Sequence, residues 1–177
     1  MAAGAGAGSG ELDLVIIGAG PGGYVAAARA GALGLKTAII EKDPALGGTC
    51  LHVGCIPTKA LLHAADTYSE FKEASRYGVV AESVKIDWAK LMGHKQNVIK
   101  TMANGVSGLM KARGVQVHQG FGRIEGPGRV VVKGASGATE LKAKHILVAT
   151  GGEPKPLPFA PFDGKRILSS DHVVNLE

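Results

Sequence analysis

Short apolar segments alternate with alanine-rich and helix-period segments along this chain. Three segments are largely apolar, as strands buried in a parallel sheet are, and they lie at 13–17, 36–40 and 145–149. A further strand is expected at 115–119, after a helix stop at Gly114. The alanine-rich segment 22–33 predicts a helix, and Gly34 is placed to end it. This alternation predicts an α/β fold in which helices pack on a parallel sheet.

Two longer segments have the periodicity of helices. The first begins near Pro57, where a proline suits the first helical turn, and is expected to run to about Ser75. Its apolar stripe is expected to face the core and consists of Leu61, Leu62, Ala65, Tyr68 and Phe71. The second segment, 87–113, predicts a long helix or a helix pair, with Asp87 as its N-cap.

The remaining chain predicts a hairpin and two flexible ends. Residues 129–133 and 139–142 flank a Gly- and Ser-rich turn, which indicates a β-hairpin inserted into the α/β pattern. We therefore expect a flexible Ala/Gly/Ser tail at 1–10, one domain at 11–153, and an extended, proline-rich connector at 154–177.

A glycine motif follows the first predicted strand. Gly18, Gly20 and Gly23 occupy the three positions of the dinucleotide-binding fingerprint, which allow a tight turn, a close approach of pyrophosphate and close helix packing. Glu41 ends the second strand 18 positions after Gly23, where a carboxylate can accept the hydroxyls of an adenosine ribose. The motif predicts dinucleotide binding but does not separate FAD from NAD.

The only two cysteines, Cys50 and Cys55, stand just ahead of the helix that contains Pro57. The positive end of that helix favours a thiolate at Cys55, and Lys59 adds a cation one turn later. A structural pair of buried thiols or a static disulfide is the alternative. Two sulfurs without a second Cys/His pair leave a zinc tetrahedron incomplete, so no metal site is expected.

The stretch from Gly47 to Leu62 resembles the redox-active disulfide of the flavin disulfide reductases, and Ile56–Leu62 is most similar to the dihydrolipoamide dehydrogenase branch. The resemblance implies a Rossmann-like FAD-binding domain. It also implies that Cys50 exchanges with substrate while Cys55 lies against the flavin. The residues that it assigns to FAD are Gly18, Gly20, Gly23, Glu41, Lys42, Gly48, Thr49, Lys59, Gly122, Thr150 and Gly151.

The resemblance covers residues 12–177 but only the N-terminal part of that family, so the domain is expected to be incomplete. No second Gly-x-Gly-x-x-Gly follows Gly23, and the family's NAD-binding and dimer-interface domains have no counterpart here. The implied activity is oxidation of dihydrolipoamide by NAD⁺ through the disulfide and FAD. The fragment alone is expected to be inactive. The implied partners are the lipoyl group of a 2-oxo acid dehydrogenase complex or of the glycine cleavage system, and a second subunit in the full-length homodimer.

Three alternatives to this function stay open. One is a flavin disulfide reductase acting on mercuric ion, another is one acting on glutathione, and the third is a non-catalytic FAD-binding module. His52 stands where relatives more often carry Asn and is a surrogate-base candidate, although an exposed loop histidine is the default expectation.

Charge and composition restrict the partners and the compartment. The net charge is +5, but the basic residues are dispersed, so no nucleic-acid partner is expected. No run of about 18 apolar residues exists, and no membrane partner is expected. Residues 1–10 lack the features of a secretory or mitochondrial targeting segment. We therefore expect a cytoplasmic protein, with the mitochondrial matrix after processing as the alternative.

Overall fold

The computed structural model describes residues 10–80 and 82–176. The expected tail lies outside the described residues except for Gly10, as does the last residue of the expected connector. The chain divides into two compact units, one formed by Met1–Leu46 with Ser107–Thr150 and the other by Gly47–Val106 with Gly151–Glu177.

The first unit is a six-stranded sheet with a helix after its first strand. The strand order is β3-β2-β1-β6-β5-β4. The elements of this unit are β1 (Leu12–Ile17), α1 (Pro21–Ala32), β2 (Thr37–Glu41), β3 (Gln116–Gln119), β4 (Phe121–Gly126), β5 (Arg129–Gly134) and β6 (Gly137–Val148).

Half of this sheet is parallel and half is antiparallel. β1 pairs in parallel with β2 and β6, and β2 pairs in parallel with β3. β4, β5 and the first part of β6 form an antiparallel meander. The predicted α/β fold with a parallel sheet and a hairpin excursion is thus confirmed.

β6 differs from the prediction because it is one continuous strand. The predicted hairpin strand 139–142 and the predicted parallel strand 145–149 are its two halves. Lys142 still pairs with β5, whereas Ala143 pairs with Leu12 of β1, so the partner changes within one step of the chain. An extended backbone has hydrogen-bonding groups on both edges, and it can therefore change partners without a break.

The core lies where the two halves of the sheet face each other. Its buried side chains come from β1, β2, β5 and β6 and are Leu12, Val15, Ile17, Ala38, Ile40, Val130, Val132, Leu141 and Ala143. Ile16 and Ile39 point to the opposite face of the same strands and are also fully buried. Burial on both faces explains why β1 and β2 are apolar without alternation.

The second unit is mainly helical. It contains α2 (Gly48–His52), α3 (Cys55–Glu73), a short 3-10 turn (Ala74–Tyr77) and α5 (Ser170–Val173). α4 (Trp88–Ala112) belongs to this unit up to Val106, and its last residues belong to the first unit. Asp87 caps α4 as predicted, because its carboxylate accepts the backbone N–H of Lys90 at 3.0 Å. No helix in the described ranges is both long and apolar enough to span a bilayer.

Two expectations for this unit were wrong, and one helix was missed. α2 was not predicted, and the connector was expected to be extended although it contains α5. The apolar stripe of α3 does not form a core in the described structure, since Leu62 is 54% exposed and Phe71 is 49% exposed. Periodicity indicates an amphipathic helix, but it does not specify what covers the apolar side.

Candidate functional site

The carboxyl ends of the parallel strands meet at one edge of the first unit. Gly18 follows β1, and its N–H donates to the carbonyl of Ile40 in β2 at 2.8 Å. Ala149 follows β6 and donates to the carbonyl of Ile17 at 2.8 Å. β1 therefore has a parallel neighbour on each side at this edge, which is the position where open α/β sheets bind ligands.

Two further predicted residues lie at the same edge. A Cβ placed on Gly18 would lie 3.0 Å from the Cα of Thr150, so the first glycine turn packs on the end of β6. Gly122 lies in β4 over the ends of β1 and β2, where a Cβ would be 3.2 Å from Ile17 and Ile40 side-chain atoms. The structure thus brings Gly122 and Thr150 to the edge that carries the glycine motif.

The start of α1 fits an anion. Gly20 is its N-cap, no side chain in the described residues caps it, and its first turn contains no acidic residue. The carbonyl of Gly20 accepts the N–H groups of Gly23 and Tyr24 at 2.9 Å, which begins the helix directly at the glycine turn. The N-terminal end of a helix attracts negative charge, and a diphosphate is the anion that the motif predicts here.

Glu41 is buried at the end of β2, with 5% of its surface exposed. One carboxylate oxygen accepts the N–H of Ala19 at 2.8 Å, and the other accepts the N–H of Asp43 at 3.0 Å. Each oxygen keeps a second lone pair, so the carboxylate can still accept a ribose hydroxyl. Lys42 follows at the surface. The Ala19 hydrogen bond joins the predicted ribose acceptor to the glycine motif.

The two cysteines lie in the second unit, in two successive helices. Cys50 is in α2 and is half-buried, and Cys55 is the first residue of α3 and is exposed. Both are free cysteines. Gly54 allows the chain to close between them, because a Cβ there would lie 2.9 Å from the carbonyl oxygen of Thr49 and 3.1 Å from the Cα of Cys50. This exposure does not fit a pair of buried structural thiols.

The environment of Cys50 changes the acidity of its thiol. The side-chain hydrogen bond with Cys55 raises the pKa of Cys50, and burial raises it further. The positive charge of Lys59 acts in the opposite direction and lowers the pKa of Cys50. The contact with Cys55 thus favours the protonated thiol of Cys50, whereas Lys59 supplies a nearby cation that favours its thiolate.

The other predicted residues of the second unit lie in three different segments. Gly48 and Thr49 are the first two residues of α2, Lys59 lies one turn into α3 and is exposed, and Gly151 begins the C-terminal segment. His52 was expected to be an exposed loop residue, but it is the last residue of α2 and is half-buried. In the part of the chain that the structure describes, no three His, Cys, Asp or Glu side chains are placed to hold a metal ion.

Sequence reasoning missed Gln119, which ends β3. Its side-chain amide contacts the loop after β2 that carries Glu41. A polar residue at the carboxyl end of a predicted parallel strand is the signal that could have identified it.

The chain is similar to flavin-dependent disulfide oxidoreductases over nearly its full length. The family model for pyridine nucleotide-disulphide oxidoreductases matches residues 12–176. Dihydrolipoyl dehydrogenase 1 (mitochondrial) of Arabidopsis thaliana is 47% identical over 164 residues, which are 92% of this chain and 32% of that protein. Dihydrolipoyl dehydrogenase of Bacillus subtilis is 45% identical over 172 residues, covering 92% of this chain and 36% of that protein.

A solved structure agrees with these relatives. LpdA from Mycobacterium tuberculosis has a TM-score of 0.81 at 28% identity, over 93% of this chain and 37% of that one. The chain thus spans about a third of the length of the curated relatives that it matches. Members of the matched family are FAD-dependent enzymes. Because the family model covers nearly all of the sequence, as the cysteine and glycine motifs predicted, this chain belongs to the pyridine nucleotide-disulphide oxidoreductase family.

Proposed function

We propose that this chain is the FAD-binding, disulfide-bearing part of a dihydrolipoyl dehydrogenase, an enzyme that oxidises dihydrolipoamide with NAD⁺. The observation that carries the proposal is the placement of Cys50 and Cys55 in two successive helices, where the chain closes between them at Gly54 and Lys59 follows one turn later. The relatives named dihydrolipoyl dehydrogenase support this substrate over mercuric ion or glutathione.

The first unit would hold the cofactor by its ADP half. The open N-terminal end of α1 would bind the diphosphate, and Glu41 would accept the ribose hydroxyls. The bound flavin would supply a two-electron acceptor for the reduced cysteine pair and would pass those electrons to NAD⁺. Gly122, Thr150 and Gly151 would lie close to the cofactor through their backbone, while Lys42, Gly48, Thr49 and Lys59 would line its site, as the family resemblance implies.

The cysteine pair would perform the substrate step. A dihydrolipoyl thiolate attacks the sulfur of Cys50 in the disulfide, the S–S bond breaks, and Cys55 leaves as a thiolate. The second dihydrolipoyl thiolate then attacks the substrate sulfur attached to Cys50. Lipoamide is released, and the Cys50 sulfur takes up a proton. The substrate loses two electrons, and the cysteine pair gains them.

The family resemblance assigns Cys50 as the sulfur that would carry the substrate. The pKa of Cys50 is raised overall, mainly by its side-chain contact with Cys55, while the charge of Lys59 opposes this rise and favours the thiolate that forms when the mixed disulfide breaks. The exposed face of Cys55 is the one that the flavin ring would cover in the proposed complex. This assignment predicts which cysteine forms a mixed disulfide with lipoamide.

The experiment uses the reverse reaction, which requires neither NAD⁺ nor an intact dimer. Reduced Cys55→Ser and Cys50→Ser variants are mixed with FAD and lipoamide, quenched with iodoacetamide and analysed by mass spectrometry. The Cys55→Ser variant should accumulate a Cys50–lipoyl mixed disulfide, and the Cys50→Ser variant should form its adduct at least about tenfold more slowly, because bound FAD would cover the otherwise exposed sulfur of Cys55. Equal rates would show that the two roles are wrongly assigned.

The same assay separates the alternative substrates. The wild-type chain should be oxidised to the Cys50–Cys55 disulfide faster by lipoamide than by glutathione disulfide at equal concentration. Preference for glutathione disulfide would favour the glutathione-type alternative. A chain that binds FAD but exchanges with neither disulfide would favour the non-catalytic module.

Cofactor binding needs its own test. Titration of the chain with FAD should quench flavin fluorescence, and Glu41→Gln should weaken binding, because the amide cannot replace both acceptor oxygens. Absence of FAD binding by the wild-type chain would contradict the proposed cofactor site.

The wider setting is proposed from the relatives. The partner is the lipoyl group of a 2-oxo acid dehydrogenase complex or of the glycine cleavage system, and the whole enzyme is a homodimer, as dihydrolipoyl dehydrogenase relatives imply in general. We place the protein in the cytoplasm, with the mitochondrial matrix as the alternative. Cell fractionation with antibodies against the chain would decide between the two compartments.

A further inference from the structure

Gln119 ties the last residue of β3 to the loop that follows β2. Its side-chain Nε2 donates to the backbone carbonyl of Glu41 at 2.8 Å and also donates to the carbonyl of Asp43. Two carbonyl acceptors require the amide nitrogen rather than the amide oxygen, which sets the orientation of the side chain. Both N–H bonds of one nitrogen are thereby used to hold one short loop.

This loop is the segment that places the Glu41 carboxylate. The N–H of Asp43 donates to one carboxylate oxygen at 3.0 Å, and the N–H of Ala19 donates to the other at 2.8 Å. Gln119 therefore holds the backbone on both sides of Lys42, and that backbone in turn holds the carboxylate against the glycine motif. The backbone N–H of Gly120 adds a hydrogen bond of 2.8 Å to the Glu41 carbonyl.

We propose that Gln119 is a positioning residue for recognition of the adenosine ribose, acting through Glu41. Without the amide, the carbonyl of Asp43 loses this donor and the loop can rotate, so the carboxylate no longer keeps the orientation in which it accepts ribose hydroxyls. Hydrogen bonds to a charged acceptor are the strong ones, and they depend on geometry. The inference rests on the proposed cofactor site and names the residue that makes that site selective for ribose hydroxyls.

The test compares two nucleotides that differ only in those hydroxyls. The binding of ADP and of 2′,3′-dideoxyadenosine diphosphate is measured by calorimetry on the wild-type chain and on Gln119→Met, which keeps the side-chain length but has no donor. The matched control is Gln116→Met, at an exposed position of the same strand. We expect the wild-type chain and the control to prefer ADP by about tenfold, since losing the partners of a polar site typically has such an effect. Gln119→Met should reduce the preference to less than about twofold.

Each outcome bears on the inference. If Gln119→Met weakens the binding of both nucleotides equally, its role is merely structural and the inference is overturned. A preference of Gln119→Met for ADP equal to that of Gln116→Met would also overturn the inference. In the Glu41→Gln background, Gln119→Met should cause no further loss of preference; an added loss would show that Gln119 does not act through Glu41.

A second readout works without nucleotide. Hydrogen exchange of the Ala19 and Asp43 amides should be faster in Gln119→Met than in Gln116→Met, because both amides are bonded to the carboxylate that the loop holds. Unchanged exchange overturns the inference whatever the nucleotides do. If the wild-type chain binds neither FAD nor ADP, the proposed cofactor site itself is wrong, and the wild-type titration alone reveals that failure.

Discussion

Replacing Gly23 by alanine should separate the first strand from the first helix. Gly23 is buried in the first turn of α1. A Cβ at this position would overlap the carbonyl oxygen of Gly18, and it would lie 2.9 Å from the carbonyl carbon of the same residue. Because the obstacle is backbone, no side-chain rotation relieves the overlap. The start of the helix has to move away from the glycine turn.

Gly22→Ala is a matched control on the same helix. Gly22 is exposed, and a Cβ there meets only the Cβ of Ala149, at 3.9 Å. Both variants replace glycine by alanine in the first turn, so the gain in helix propensity, at most about 1 kcal/mol, is similar in the two. Their difference in unfolding free energy therefore isolates the steric cost.

The expected steric cost lies at the upper end of the usual overpacking range, about 3 kcal/mol, because the helix packs against a buried strand. For a chain of this size that corresponds to a melting temperature about 10 °C lower for Gly23→Ala than for Gly22→Ala. Urea unfolding followed by circular dichroism measures the difference directly. Equal unfolding free energies for the two variants would refute the packing of α1 on the end of β1.

Three other changes test separate parts of the structure. Cys55→Ala removes the hydrogen bond that raises the pKa of Cys50, so alkylation of Cys50 by iodoacetamide should reach its half-maximal rate at lower pH; an unshifted profile would contradict the contact. Burial lowers the pKa of His118 below its usual 6.5, so the unfolded chain binds this proton more tightly. The contribution of neutral His118 to the unfolding free energy is therefore complete above pH 6.5. It falls as the pH drops below 6.5, by at most about 1.4 kcal/mol per pH unit. In His118→Gln, the urea concentration at the unfolding midpoint should depend less on pH between pH 5 and 6.5. A pH dependence equal to that of the wild-type chain would exclude His118 as the cause. Lys95 is 3% exposed and donates to a carbonyl of the C-terminal segment at 2.7 Å, so Lys95→Met should lower the unfolding free energy by about 1–3 kcal/mol. Lys100→Met, at an exposed position of the same helix, should change the unfolding free energy little. Equal effects of the two substitutions would contradict a stabilising hydrogen bond from Lys95 to the C-terminal segment.

Sequence alone was sufficient for the features that depend on neighbouring residues. Local physical signals come from the apolar runs at β1 and β2, the glycine motif between them and the proline at the head of α3. The elements β1, β2 and α3 all lie within a few residues of their predicted bounds. The pairing of Cys50 with Cys55 was implied by the resemblance of the stretch around them to a redox-active disulfide. These features identified the family before any contact was known.

Tertiary structure decided everything that depends on which distant segments meet. The pattern at 137–148 contains no signal that one strand will pair with β5 and then with β1, because pairing is chosen by the partners. The apolar stripe of α3 predicted a helix but not an exposed one. Gln119 lies 78 positions from Glu41, and its role appears only when parallel strands bring their carboxyl ends to one edge. Local composition determines what each segment can form, whereas the hydrogen bonds between remote segments determine which polar side chains meet there.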